Sequence, residues 1–148
     1  AMHYDAKHED LYIFDEIYQQ KLKNRTAAKL IKPICKGRMV YADSAEPKSI
    51  EDLKDEGINI LATKKGPDSV DYGMKFLQSL EHIYIDRRRC PNTYNEFLKY
   101  EYEQNRNGDF ISAYPDKNNH AIDSVRYALN DIIMKRSFKM FDKSKLGL

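Results

Sequence analysis

The stretch RMVYADSAEPKSIEDLKDEGINILAT, residues 38–63, decides the fold class. MVYAD at 39–43 is a short apolar run ending on an acid and reads as a buried strand. Pro47 suits the first turn of a helix, where its missing N–H is no loss. Ser49 and Asp52 resemble a capping box, and Gly57 suits the helix end. INILAT at 58–63 is the next strand.

Working outward, the same alternation continues. KKGPD is a loop, 68–80 a helix, HIYID at 82–86 a strand, and 91–99 a helix opened by Pro91. Upstream, residues 24–35 form a helix with one apolar stripe, capped by Asn24 or Thr26 and stopping near Pro33. LYIFDEIY at 11–18 is aromatic and β-branched and reads as a strand, with residues 2–5 as its hairpin partner across AKHED. Downstream, alternation on both sides of Asn107-Gly108 signals a hairpin over 100–113. Residues 119–137 form a long amphipathic helix with Ile122, Val125, Leu129, Ile132 and Ile133 at helical spacing and Asn118 or Asn119 as its cap. Strands alternating with helices after an antiparallel start give an α/β domain with a mixed sheet flanked by helices. No repeat, low-complexity segment or second domain appears, and 148 residues suit one core.

Composition excludes several classes. Hydrophobic residues at 41%, spread along the chain, argue against disorder. No apolar run approaches the roughly 18 residues of a spanning helix, so no membrane partner is expected. Cys35 and Cys90 lie far apart without a CxxC partner, which reads as two reduced thiols and implies no zinc site. The start is polar and carries no signal peptide; Ala1 before Met2 reads as a cloning remnant.

Net charge is only +2, but it is unevenly placed. Residues 21–40 carry seven bases and no acid; Arg87, Arg88 and Arg89 form a second cluster, and a basic tail covers 135–148. Basic clusters on a near-neutral chain suggest a polyanion surface, although each also suits a solvated face.

Two positions carry candidate chemistry. Asp43 ends an apolar strand, and open α/β sheets bind ligands at strand carboxyl ends; an acid there also suits a turn. His120 and Asp123, i and i+3, project from one face near the start of the last helix. Either could instead serve the helix, Asp123 by offsetting its dipole or by pairing with Arg126. Oxygen and imidazole donors suit Mg²⁺ or Mn²⁺ better than zinc, and two such ions would serve phosphodiester cleavage.

YADSAEPKSIEDLK at 41–54, TKKGPDSVDYGMKFLQSL at 63–80, RRCPNTYNEFLKYEYE at 88–103 and YPDKNNHAIDSVRYAL at 114–129 resemble the nuclease domain of large terminase subunits, the DNA-packaging motors of tailed bacteriophages. The resemblance runs from about residue 9 to about residue 131, and ADSAEP together with D-K-x-N-H-x-I-D-x-x-R-Y makes it specific. It implies a ribonuclease H-like fold and a metal-dependent endonuclease that cleaves double-stranded concatemeric DNA during genome packaging. By motif, Asp43 is the strand acid, Asp123 the helix acid, and His120 the histidine beside them, all three as metal ligands or catalytic groups. The resemblance also implies a bacterial cytoplasmic setting and, in the intact protein, an ATPase domain, the portal and the small terminase subunit as partners. The sequence contains no GxxxxGK[ST] of its own.

The resemblance further implies an acid on an opening strand that neither Asp5 nor Asp15 matches. The expectation is a single C-terminal nuclease domain fragment, 1–148, lacking the first central strand and one ligand. Such a fragment should cut DNA poorly or not at all, with the strand's slot closed by rearrangement or by another chain. DNA would be gripped by Lys64, Lys65 and Arg87 to Arg89 in loops after strands, and gated by the hairpin beside the metal site. Two other functions stay open. One is a non-catalytic nucleic-acid-binding or docking module of ribonuclease H-like fold. The other is a phosphatase or phosphoacceptor domain using Asp43 and Asp86, in which His120 and Asp123 would have no role.

Overall fold

A computed structural model of the protein describes residues 1–100, 107–108, 114 and 119–145, with side chains described to residue 136. The elements run β1 (Met2–Asp5), β2 (Asp10–Ile13), α1 (Asn24–Cys35), β3 (Val40–Asp43), α2 (Pro47–Asp55), β4 (Ile60–Thr63), α3 (Ser69–Gln78), β5 (His82–Ile85), α4 (Pro91–Lys99) and α5 (His120–Lys145). Of the hairpin expected over 100–113, only the turn at Asn107-Gly108, with Gly108 at φ +84°, and the flanks are among the described residues. There Tyr100 and Tyr114 stack with centroids 6.5 Å apart and rings 7° from parallel.

The strands form two sheets. β1 pairs antiparallel with β2, and β2 pairs parallel with β5, giving a mixed sheet in the order β1-β2-β5. β3 and β4 form a separate parallel pair, with Asp43 opposite Thr63. No ladder joins the two sheets among the described residues.

Helix α5 holds the halves together. It packs against α3, α4, β3 and β4. Ile122, Val125, Leu129 and Ile133 are all at least nine-tenths buried, as their helical spacing predicts, and meet Leu11 and Ile13 of β2 and Met74, Phe76 and Leu77 of α3. A smaller core of Ala28, Ile50, Ile58 and Ile60 binds α1 and α2 to β4. The outer face of the mixed sheet has its own cover. His3, Tyr12 and Tyr84 lie in one cross-strand row, and the Tyr12 and Tyr84 rings stack at 4.9 Å. Such cross-strand aromatic pairs stabilise a half-exposed sheet.

Side-chain contacts fix the direction of travel. Tyr41 in β3 donates to Asp131, while Asp43, two residues on, faces Tyr127 one turn earlier in α5. Glu9, before β2, pairs with Arg136, while Tyr18, beyond β2, reaches Glu96 at the first turn of α5. Helix α5 is therefore antiparallel to both β2 and β3. With the parallel pairings, β2, β3, β4 and β5 all end beside the N-terminal half of α5.

Several local expectations are corrected. The strand read as 11–18 occupies only Asp10–Ile13, because the chain leaves the sheet to carry Glu16 to the start of α4. There Glu16 accepts from both the backbone and the side chains of Asn92 and Thr93. The α2 box does not form: the cap residue is Glu46, without a side-chain cap bond, and Asp52 instead accepts from Asn24. Asn24 and Thr26 do not cap α1 either, whose cap position is Lys23, and Pro33 lies inside the last turn. Gly57 does close α2, at φ +82°, where its amide reaches the Lys54 carbonyl. Strands β4 and β5 and helix α3 are each shorter at their ends than read, and α5 runs on to Lys145.

Candidate metal centre

The site is built where β3 ends. The Asp43 side chain turns back on its own loop, with Oδ1 accepting the Ala45 amide at 2.9 Å. Lys65, in the loop after β4, places its ammonium 2.6 Å from the same oxygen. Parallel pairing of β3 and β4 brings these two strand ends side by side. Tyr127 of α5 closes the group: its hydroxyl approaches Asp43 Oδ2 at 3.4 Å, and the Lys65 ammonium lies 5.1 Å over its ring. Lys65 and the Ala45 amide hold the Asp43 carboxyl below its ordinary range, and Asp43 in turn raises Lys65. Burial pushes Tyr127 up, with Asp123 and Asp43 adding to the rise.

Asp123 sits one turn before Tyr127 on α5. Arg126 pairs with its Oδ1, donates from Nη1 to the Ser69 carbonyl at 3.3 Å, and lies over the Tyr127 ring at 5.7 Å. Arg126 is 5% exposed, and its Nε has no partner among the described residues. Its stem passes Gly73 of α3, where a Cβ would stand 2.8 Å from Arg126 Cδ. Glycine at 73 is thus what lets a buried guanidinium reach Asp123.

Asp43 and Asp123 therefore both border Tyr127, one from the strand end and one from the helix. His120 begins α5 one turn before Asp123 and is exposed; among the described residues its ring has no hydrogen-bond partner. Carboxylates are hard donors of the kind Mg²⁺ and Mn²⁺ take, and imidazole is a borderline one. The Lys65 ammonium on Asp43 shows that this carboxylate already attracts a cation. Among the described residues, no three His, Cys, Asp or Glu side chains form a ready-made metal cluster.

The basic residues are mostly committed. Lys65 is the partner of Asp43, and Lys64 lends its carbonyl to Asn130. Arg89 pairs with Asp15, and Arg87 lies 5.2 Å over Tyr94. Asp86 accepts the backbone amides of Arg88 and Arg89, which folds this turn. All five follow strands that end on the same side as Asp43. Both cysteines are free thiols. No helix among the described residues is long and apolar enough to cross a membrane.

Sequence reasoning missed Glu96. This residue of α4 is 9% exposed, and its Oε2 accepts the Ala121 and Ile122 amides at 2.7 and 3.3 Å. It does for the start of α5 what a side-chain cap at Asn119 would do. A cap supplied from another helix leaves no local spacing to read.

A mixed sheet with flanking helices, an acid at a parallel strand's end and another on the long last helix define a ribonuclease H-like nuclease fold. Within that class, the chain belongs to the family described as Terminase RNAseH like domain, whose profile matches residues 2–131. It is 43% identical over 129 residues to the terminase large subunit of Bacillus phage SPP1, covering 85% of this chain and 31% of that protein. It is 32% identical over 128 residues to the PBSX phage terminase large subunit of Bacillus subtilis, covering 86% of this chain and 29% of that protein. The chain thus spans about a third of the curated relatives it matches. Among solved structures, it matches the g2p (large terminase) nuclease domain of bacteriophage SPP1 with bound Mn. The TM-score is 0.81 at 40% identity, over 88% of this chain and 75% of that one.

Proposed function

We propose that the chain is the nuclease domain of a divalent-metal-dependent endonuclease whose full-length form hydrolyses double-stranded DNA during phage genome packaging. The observation that carries this reading is the meeting of Asp43 and Asp123 around Tyr127 at the end of a parallel strand. Its match to a Mn-bound nuclease domain at 40% identity supports it. Asp43 and Asp123 are the metal ligands, and His120 ligates or orients water beside them. Bound Mg²⁺ or Mn²⁺ would lower the pKa of a water and offset charge on the phosphate. The protein's part is to aim the two carboxylates, through β3 and the first turns of α5, with Arg126 fixing Asp123 in place and Lys65 holding Asp43 ionised.

Lys64, Lys65, Arg87, Arg88 and Arg89 follow strands of both sheets that end on the side where DNA would lie. Their phosphate contacts would make binding fall steeply with salt. The chain acts as one C-terminal nuclease domain. Its working partners are an ATPase domain, the portal and the small terminase subunit, in the cytoplasm of an infected bacterium. The test is cleavage of supercoiled plasmid in Mn²⁺ by the gene's full-length product. Asp43→Asn or Asp123→Asn should reduce it by about a hundredfold or more. Cleavage that survives both substitutions sinks the reading and favours a non-catalytic module that binds DNA.

A further inference from the structure

We infer that Glu96 is a positioning residue for the metal centre, setting the first turn of α5 on which His120 and Asp123 stand. The inference rests on the proposed nuclease reading. Glu96 is more than nine-tenths buried, and both of its carboxylate oxygens are used. Oε2 takes the Ala121 and Ile122 amides, the two that lie between His120 and Asp123. Oε1 takes the Tyr18 hydroxyl at 3.0 Å. The first amides of a helix have no partner within it and carry its positive dipole end. A carboxylate fixed there decides where that turn sits.

The carboxylate is itself fixed from outside. Tyr18 reaches Glu96 from the segment that leaves β2, and two residues earlier Glu16 grips the start of α4 through Asn92 and Thr93. The same five-residue stretch, 14–18, therefore ties α4 at its beginning and, through Glu96, α5 at its beginning. A shift of α4 is passed directly to His120 and Asp123. Asp43 stands on β3, outside this relay, so the relay sets the spacing between the two acids.

Outer partners that orient ligands commonly change metal affinity by roughly ten- to a hundredfold. The test is Mn²⁺ affinity of this chain, read by electron paramagnetic resonance of free Mn²⁺. Glu96→Ala should weaken binding about tenfold. Glu96→Gln should restore it to within roughly threefold, since its carbonyl can accept the amides while its NH₂ meets Tyr18. Tyr18→Phe should weaken it about threefold. Phe76→Leu, a core change in α3 away from this turn, serves as the stability control and should leave affinity unchanged. If Asp123→Asn abolishes binding while Glu96→Ala and Tyr18→Phe leave it alone, the inference is wrong and the nuclease reading stands. If Phe76→Leu weakens binding as much as Glu96→Ala, Glu96 is merely structural. If Asp123→Asn changes nothing, the metal reading fails and takes this inference with it. Should Glu96→Ala not fold, Tyr18→Phe and Glu96→Gln decide the matter by the same criteria.

Discussion

The two acids at the centre of the site are held in opposite ways. Asp123 is paired with Arg126, a guanidinium whose side chain is 6% exposed and which is wedged beside Gly73. Asp43 is paired with Lys65, a flexible ammonium on an open loop, with side-chain exposures of 36% and 40%. A buried partner is costly to remove, because its packing and its hydrogen bonds are lost along with the ion pair. An exposed partner is cheap to remove and cheap to displace. One acid is thus held by a buried partner, and the other sits where a solvated cation can exchange with Lys65.

That contrast is broken or sharpened by substitution. The largest effect belongs to Arg126→Ala, which should cost about 3 kcal/mol of folding stability in chemical denaturation. A loss as small as that of a surface pair would mean the guanidinium is not the anchor described. Gly73→Ala comes next. The added methyl meets the middle of the Arg126 side chain, not its free end, and should cost roughly 1–3 kcal/mol. Crystals of that variant should show Arg126 shifted from Asp123; an unmoved guanidinium would contradict the close approach. Lys65→Ala should stay within about 0.5 kcal/mol of the wild type, and added salt should erase even that difference.

The smallest effect is on titration. Lys65 lowers the Asp43 carboxyl in the folded state. A depressed carboxyl contributes stability above its unfolded pKa and loses it as pH falls through the folded one. The contribution is therefore present at neutral pH and disappears on the acid side, below about pH 4. The Asp43 carboxyl carbon should titrate in NMR below the ordinary aspartate range and rise toward it in Lys65→Ala. An unchanged midpoint would place Lys65 in solvent.

Much of this was legible in the sequence, and the exceptions have one physical cause. MVYAD, PKSIEDLKD and the 122-125-129 spacing announce β3, α2 and α5 because each depends on its own residues. The Asp123–Arg126 pair was readable too, as neighbours one turn apart on a helix. What escaped was everything set by distant partners. Glu16 and Glu96 cap helices that lie 76 and 25 residues away in sequence. Asp52 sits at a capping-box position yet serves Asn24. The Lys65–Asp43 pair escaped as well, because it joins the ends of two different strands. Which strands pair with which was likewise not legible, because strand signals carry no record of their partners.

The central claim is that Asp43 and Asp123 form one metal centre. Soaking crystals of the protein in Mn²⁺ and collecting anomalous diffraction tests it most directly. The account predicts a peak bound by Asp43 and Asp123 beside Tyr127, with the Lys65 ammonium displaced from Asp43 and Arg126 still on Asp123. A peak elsewhere, or Lys65 still seated on Asp43 with no ion at either acid, would contradict it.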